Sequence, residues 1–263
     1  MNLQNIFSEF EKVDPEVYER MNSRRNMFRI GAKVAVAAAP LVLAASLKNA
    51  YGKTTAHIPE ILNFALTLEY LEAEFYNIGM NTPGLIPGQD RVIFEEIRMH
   101  ENAHVNFLRR TLQALGFMAV SKPNFDFTAK GAFPTVFSNY DVFKTVAQAF
   151  EDTGVRAYKG QAPRLIDNDV VLEAALRIHS VEARHAARVR ELRGAKPWIP
   201  GMESNGVPAA VYMGESQVIQ GNPPINVHAE SASKGVSDIA VTEAFDEPLT
   251  KEQVLAIVAP FLA

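Results

Sequence analysis

EYLEAEFY at residues 69–76 and EDTGVRAY at residues 151–158 are two versions of one phrase, a Glu followed seven positions later by a Tyr. ENAH at 101–104 trails the first and EARH at 182–185 trails the second. From Glu69 to Glu101 is 32 residues and from Glu151 to Glu182 is 31, so the chain carries one unit of acids and imidazole twice, at the period of a helical hairpin. With 21 Glu and six His, composition predicts about 0.5 accidental Glu-x-x-His pairs. The pairs alone mean little; their common register carries the argument.

Working outward, apolar residues recur at helical spacing over 59–78, 90–115, 139–159 and 169–193. Gly79 with Pro83, Gly116, Gly160 with Pro163, and Gly194 with Pro197 suit the stops. Pro59, Asp90, Ser138 with Asp141, and Asp169 suit the starts. The connection over 117–137 holds Pro123, Phe125, Phe127, Phe133, Pro134 and Phe137. A tight turn needs none of these, whereas a crossover running the length of a bundle does. The fold expected is all-α, a four-helix bundle over 53–195 with a long crossover between its second and third helices, followed by an irregular extension over 196–263 ending in a short helix.

Within each helix the acids point inward. The polar face of the first is Asn63, Thr67, Tyr70, Glu74 and Asn77, and Glu69 lies about 120° from its centre. The polar stripe of the third is Thr145, Gln148, Asp152, Arg156 and Lys159, and Glu151 lies about 100° from it in the same sense. An i, i+3 step places each Glu and His of the second and fourth helices on one face. Four carboxylates directed into an apolar interior cost several kcal/mol each unless protonated or compensated, and two divalent cations cancel them charge for charge. The rival, that these acids pair with Arg98, Arg184 or Arg188 on solvated faces, leaves the duplication unexplained.

Composition narrows the rest. The chain has no Cys, which excludes disulfides, thiolate zinc and iron–sulfur clusters, so any metal sits on oxygen and imidazole. A formal charge of −4 offers no basic surface for nucleic acid. With 48% apolar residues the chain can bury a real core.

On these residues the chain resembles the ferritin-like superfamily over 58–194, and LNFALTLEYLEAEFY (62–76) with FEDTGVRAYKGQAP (150–163) is similar to its bacterial, desiccation-related branch. The resemblance implies ferritin-type connectivity and the ligand pattern of carboxylate di-iron and di-manganese bundles. It implies Glu69 and Glu151 as terminal carboxylates, Glu101 and Glu182 as bridging ones, and His104 and His185 as one imidazole for each of two iron or manganese ions. Tyr76 and Tyr158 match tyrosines that bond a ligand or relay an electron; plain core packing is the other reading.

The two halves differ where Glu72 stands in the first and Gly154 in the second. Gly costs roughly 1 kcal/mol in a helix interior, so either a void beside an extra acid admits peroxide, oxygen or a metal, or Gly154 simply lets two helices approach. His100 and His179 occupy non-equivalent places in the repeat and read as packing histidines, while His57 and His228 sit at no ligand spacing.

The function expected is a di-metal oxidase or peroxide-consuming site acting on peroxide or oxygen. Its rivals are a manganese-catalase-like activity and a metal-braced stress protein without turnover. At the N-terminus, residues 1–22 are acidic, whereas 23–50 holds Arg24, Arg25, Arg29, Lys33, Lys48 and no acid. Ser23 to Phe28 with the apolar stretch Val34 to Leu47 resembles a twin-arginine export signal over 1–52, implying a periplasmic or exported protein. If the segment is retained, the protein is cytoplasmic, and the apolar stretch is a point of membrane contact. A homo-oligomer is compatible with the bundle.

In the extension, Pro, Gly, Ser and Asn over 196–237 predict irregular chain draped on the bundle and pinned by Trp198, and Thr250 with Gln253 predicts a capping box opening a last helix.

Overall fold

The computed structural model describes residues 57–202, 205–220, 224–232 and 234–263. The signal-like N-terminal segment lies outside the described residues. Four long helices form the bundle: α1 Ile58–Asn81, α2 Arg91–Ala114, α3 Tyr140–Gln161 and α4 Asp169–Leu192. α1 packs along α2 and α3 along α4, and the two hairpins meet through α1 with α3 and α2 with α4.

The helix ends refine the sequence reading. Asn139, not Ser138, caps α3 by accepting from the backbone N–H groups of Asp141 and Val142, and Asn168, not Asp169, caps α4 through the N–H of Val171. Asp90 makes no side-chain cap because its carboxylate accepts from the Tyr140 hydroxyl at 2.8 Å. Gly116 and Gly194 stop α2 and α4 with φ of 79° and 70°, in the left-handed region that favours glycine. Gly79 and Gly160 stay inside their helices. A Cβ there would overlap the Phe143 ring and the Leu249 carbonyl oxygen respectively, so these glycines serve close approach rather than termination.

The crossover does more than span the bundle. Phe127 and Phe137 insert beside Phe75, which stacks on Phe143 with ring centroids 4.7 Å apart and meets Phe150 edge-on at 5.2 Å. This aromatic cluster closes one end of the bundle. The chain terminus locks it: the Asp126 N–H donates to the Phe261 carbonyl at 2.8 Å, the Ala263 N–H donates to the Asn124 carbonyl at 3.1 Å, and Phe261 packs edge-on to Phe150.

The extension carries a 3₁₀ turn at Ala209–Tyr212, an antiparallel pair of β1 (Ile219–Gln220) with β2 (Ile225–Asn226), and the short helices α5 Val227–Ala232 and α6 Asp238–Thr242. The predicted capping box of Thr250 and Gln253 opens α7, Lys251–Val258. The polar stripe of α3 is sealed under the extension at Gln148, Asp152 and Arg156, all at most 1% exposed, and one expectation needs correction. Trp198 is not the pin, being 47% exposed; Tyr212 and Val211 are fully buried instead.

The sealing works because the buried charges of the stripe meet opposite charges or hydrogen-bond partners. Arg156 donates to the carbonyls of Val211, Met213 and Glu247 and pairs with Glu215 at 2.7 Å. Arg190 grips Asp152 with two bonds of 2.9 and 2.6 Å, and the Tyr212 hydroxyl donates to the same carboxylate while accepting from Gln148. Among the described residues no helix is long and apolar enough to cross a membrane.

Candidate metal centre

Each of the four bundle helices delivers side chains to one layer near its middle: Glu69 and Glu72 from α1, Glu101 and His104 from α2, Glu151 from α3, Glu182 and His185 from α4. Glu69, Glu101, Glu151 and Glu182 are fully buried, and the others in this layer are at most 4% exposed. Of the arginines considered from sequence, Arg98 pairs with Glu95 and Arg188 with Glu191 rather than with the acids of the layer.

Two groups of donor atoms form. Glu69, Glu101, His104 and Glu182 make one and Glu101, Glu151, Glu182 and His185 make the other, the atoms of each lying within 4.8 Å of one another. Glu101 and Glu182 belong to both. The Nδ1 atom of His104 lies 3.1, 3.3 and 3.2 Å from Glu69, Glu101 and Glu182, and that of His185 lies 2.8 and 3.3 Å from Glu101 and Glu151.

The oxygens Oε1 of Glu101, Oε2 of Glu151 and both oxygens of Glu182, with Nδ1 of His185, are buried without a hydrogen-bond partner. Donor atoms crowded to ion-pair distance but outside hydrogen-bond geometry fit cations, since nothing else in the layer satisfies them. Oxygen and imidazole donors in four-atom groups can hold hard or borderline divalent ions.

Protonation tells the same story. Burial, with neighbouring carboxylates, raises Glu72 and Glu182 well above the carboxylate range, and burial raises Glu69 to about 7. Glu101 goes the other way: burial opposes its charge, but His104 and His185 outweigh it and hold it below the usual range. Burial also opposes charge on His185, yet Glu151 and Glu101 lift it to about 10. Without cations the layer balances itself with protons, and cations would displace them.

The tyrosines are tied in crosswise. Tyr76 of α1 donates to Glu151 of α3 at 2.5 Å, and Tyr158 of α3 donates to Glu69 of α1. Burial raises both phenols far above their ordinary value, so each stays a donor. Gly154 resolves differently from either reading of it: a Cβ there would lie 2.8 Å from Oε2 of Glu182 and 3.2 Å from Oε1 of Glu72, so the missing side chain is the space those two carboxyls occupy.

His100, expected to be a packing residue, reaches the centre. Its Nδ1 is 2.8 Å from Nε2 of His185, and the two rings lie edge to edge and nearly parallel, their centroids 5.1 Å apart. The direction of this bond follows the tautomer: were Nδ1 of His185 to hold a metal, its Nε2 would keep the proton and donate to His100. The repeat hid this residue, because the equivalent position in the second hairpin is Val181. His179 does behave as a packing histidine, its Nδ1 meeting the Val155 carbonyl at 3.0 Å, while His228 pairs with Asp238 and His57 lies exposed beside Glu60, away from the layer.

The family model described as "Ferritin-like domain" matches residues 59–195, slightly more than half of the chain. No curated protein matches it.

Proposed function

Because the chain belongs to the ferritin-like domain family, we propose that it is a two-metal redox protein, an oxidase or peroxide-consuming enzyme whose centre holds iron or manganese. The observation that carries this reading is the sharing of Glu101 and Glu182 between two otherwise separate donor groups, which suits two adjacent ions better than one. One ion would be held by Glu69, His104 and the shared pair, and the other by Glu151, His185 and the shared pair. A pair of such ions would supply two-electron chemistry toward oxygen or peroxide.

The chain's own residues orient and insulate that centre. The phenols of Tyr76 and Tyr158 fix the terminal carboxylates Glu151 and Glu69, each from the opposite hairpin, so neither carboxylate can swing without breaking a buried hydrogen bond. Glu72, held as a neutral acid by burial and by Glu182, places a proton beside the shared carboxylate. The aromatic cluster around Phe75 and Phe143 keeps water from one end of the centre. Export through the twin-arginine-like segment, to the periplasm or beyond, belongs to the same proposal, since that route carries folded proteins with metal already bound.

Elemental analysis of the purified protein beside Glu101→Ala and His185→Ala tests it. Near two ions per chain in the parent, with both lost in Glu101→Ala, is expected. Unchanged occupancy in Glu101→Ala would sink the assignment. Metal uptake without any reaction with oxygen or peroxide would leave a metal-braced bundle instead.

A further inference from the structure

The two ends of the bundle differ. Rings from α1, α2, α3 and the crossover fill one end. Toward the other end the four helices leave a cavity of about 50 Å³. Its walls include Ala65, Leu108, Thr111, Tyr158, Ala175 and Ile178. In register, Ala65 lies four residues before Glu69, Leu108 four after His104, and Ile178 four before Glu182. The cavity therefore begins about one helical turn, roughly 5 Å, from the donor layer. Tyr158 joins the two, lining the cavity and donating to Glu69.

Polar groups on these walls are few: the Tyr158 hydroxyl is committed to Glu69, the Gln161 carbonyl oxygen accepts from Arg164, and the Thr111 hydroxyl, buried without a partner, is a single group open to an occupant. A buried water needs 2–4 hydrogen-bond partners, as does peroxide with its two hydroxyls, and an apolar cavity lacking them stays dry. Size then selects among apolar occupants. A cavity of about 150 Å³ admits benzene; one of about 50 Å³ is of a size to take a diatomic gas or a single xenon atom.

We propose that this cavity is a binding and access site for dioxygen, delivering it along Tyr158 to the paired Glu/His groups. The delivery role rests on the proposed function, whereas the gas site rests on the cavity alone. Dioxygen is apolar and asks for no hydrogen bonds, so it partitions into the space that excludes water and peroxide. Peroxide would then have to reach the centre by another path.

The test uses xenon as the probe. Crystals of the full protein, with and without added iron, are pressurised with xenon, alongside Ala175→Leu at the half-buried mouth and Ala65→Leu deeper in. One xenon in the parent cavity and none in either variant is expected. The same proteins loaded anaerobically with ferrous ion are then mixed with oxygen or with peroxide. Two Fe(II) reduce one O2, with two protons from solvent, to H2O2, or reduce one H2O2 with two protons to two H2O.

The oxygen reaction should slow by roughly tenfold in Ala175→Leu while the peroxide reaction keeps its parental rate. No xenon in the parent, or xenon persisting in both variants, overturns the gas site. Equal slowing of both reactions overturns the delivery role. Xenon bound in a protein that takes up no metal overturns the proposed function together with delivery, and supports the gas site alone.

Discussion

The hairpin of α1 with α2 and the hairpin of α3 with α4 present the same Glu and His side chains to the buried layer, but their outer faces have met different fates. On α1 the stripe of Asn63 and Glu74 remains half exposed, touched by the crossover: Asn63 bonds the backbone of Met118 and Val120, and Glu74 meets Lys122. On α3 the equivalent stripe is buried under the extension with its charges answered by Arg190, Glu215, Tyr212 and backbone carbonyls. One duplicated unit thus acquired a second shell that its twin lacks. The six Glu and His positions of the buried layer recur in both hairpins, whereas the outward faces differ.

The largest expected effect follows from that burial. Arg190→Met leaves Asp152 charged and uncompensated at 1% exposure, and should cost about 3–5 kcal/mol of stability. Lys122→Ala in the crossover, where the half-exposed Lys side chain meets Glu74 of the first hairpin, should cost less than about 1 kcal/mol. Denaturant melts of the two variants would show the asymmetry; equal losses would break the comparison.

Inside the layer, Gly154→Ala pushes a methyl group to 2.8 Å from Glu182. Helix propensity alone would favour Ala by about 1 kcal/mol. The expected outcome is therefore a metal-free protein at least as stable as the parent that takes up metal with roughly 10-fold weaker affinity. A metal titration beside a thermal melt separates the two effects, and an unaltered affinity would show that Glu182 can move aside freely.

His100→Ala sharpens the contrast between the two donor groups. It removes the 2.8 Å partner of His185, so affinity for the ion of that group should fall about 10–100-fold, more than for the ion of the His104 group. Stepwise binding isotherms with two distinct affinities in the variant would bear this out, and a uniform loss at both steps would contradict it.

A further expectation concerns pH. His185 is raised to about 10 and Glu69 to about 7, so both carry protons in the metal-free protein at neutral pH or just below. Metal binding requires neutral imidazole and ionised carboxylate; uptake must release protons, and affinity should rise as pH climbs from about 7 toward about 10. Calorimetry in buffers of different ionisation enthalpy counts the protons released. None released would mean that the layer binds metal without shedding its protons.

Much of this was legible in the order of residues. Glu69, Glu101, His104, Glu151, Glu182 and His185 were found by register, and the four helices by periodicity and their flanking Gly, Pro and Asx residues, because both depend on neighbours a few positions apart along one helix. Tyr76 and Tyr158 were found by the same repeat, but their crosswise bonding was not, since it joins residues 75 and 89 positions apart. His100 was misjudged for a related reason: its partner lies 85 positions away on another helix and breaks the repeat.

The sequence by itself therefore determined the bundle, the inward direction of its acids and the chemistry of the donors, all consequences of local helical geometry. Tertiary structure alone decided which polar stripe would be solvated and which sealed, why Gly154 is bare, and which end of the bundle stays open. Those outcomes depend on what another segment brings to the same place, and side-chain periodicity says where a residue points but not what will be waiting there.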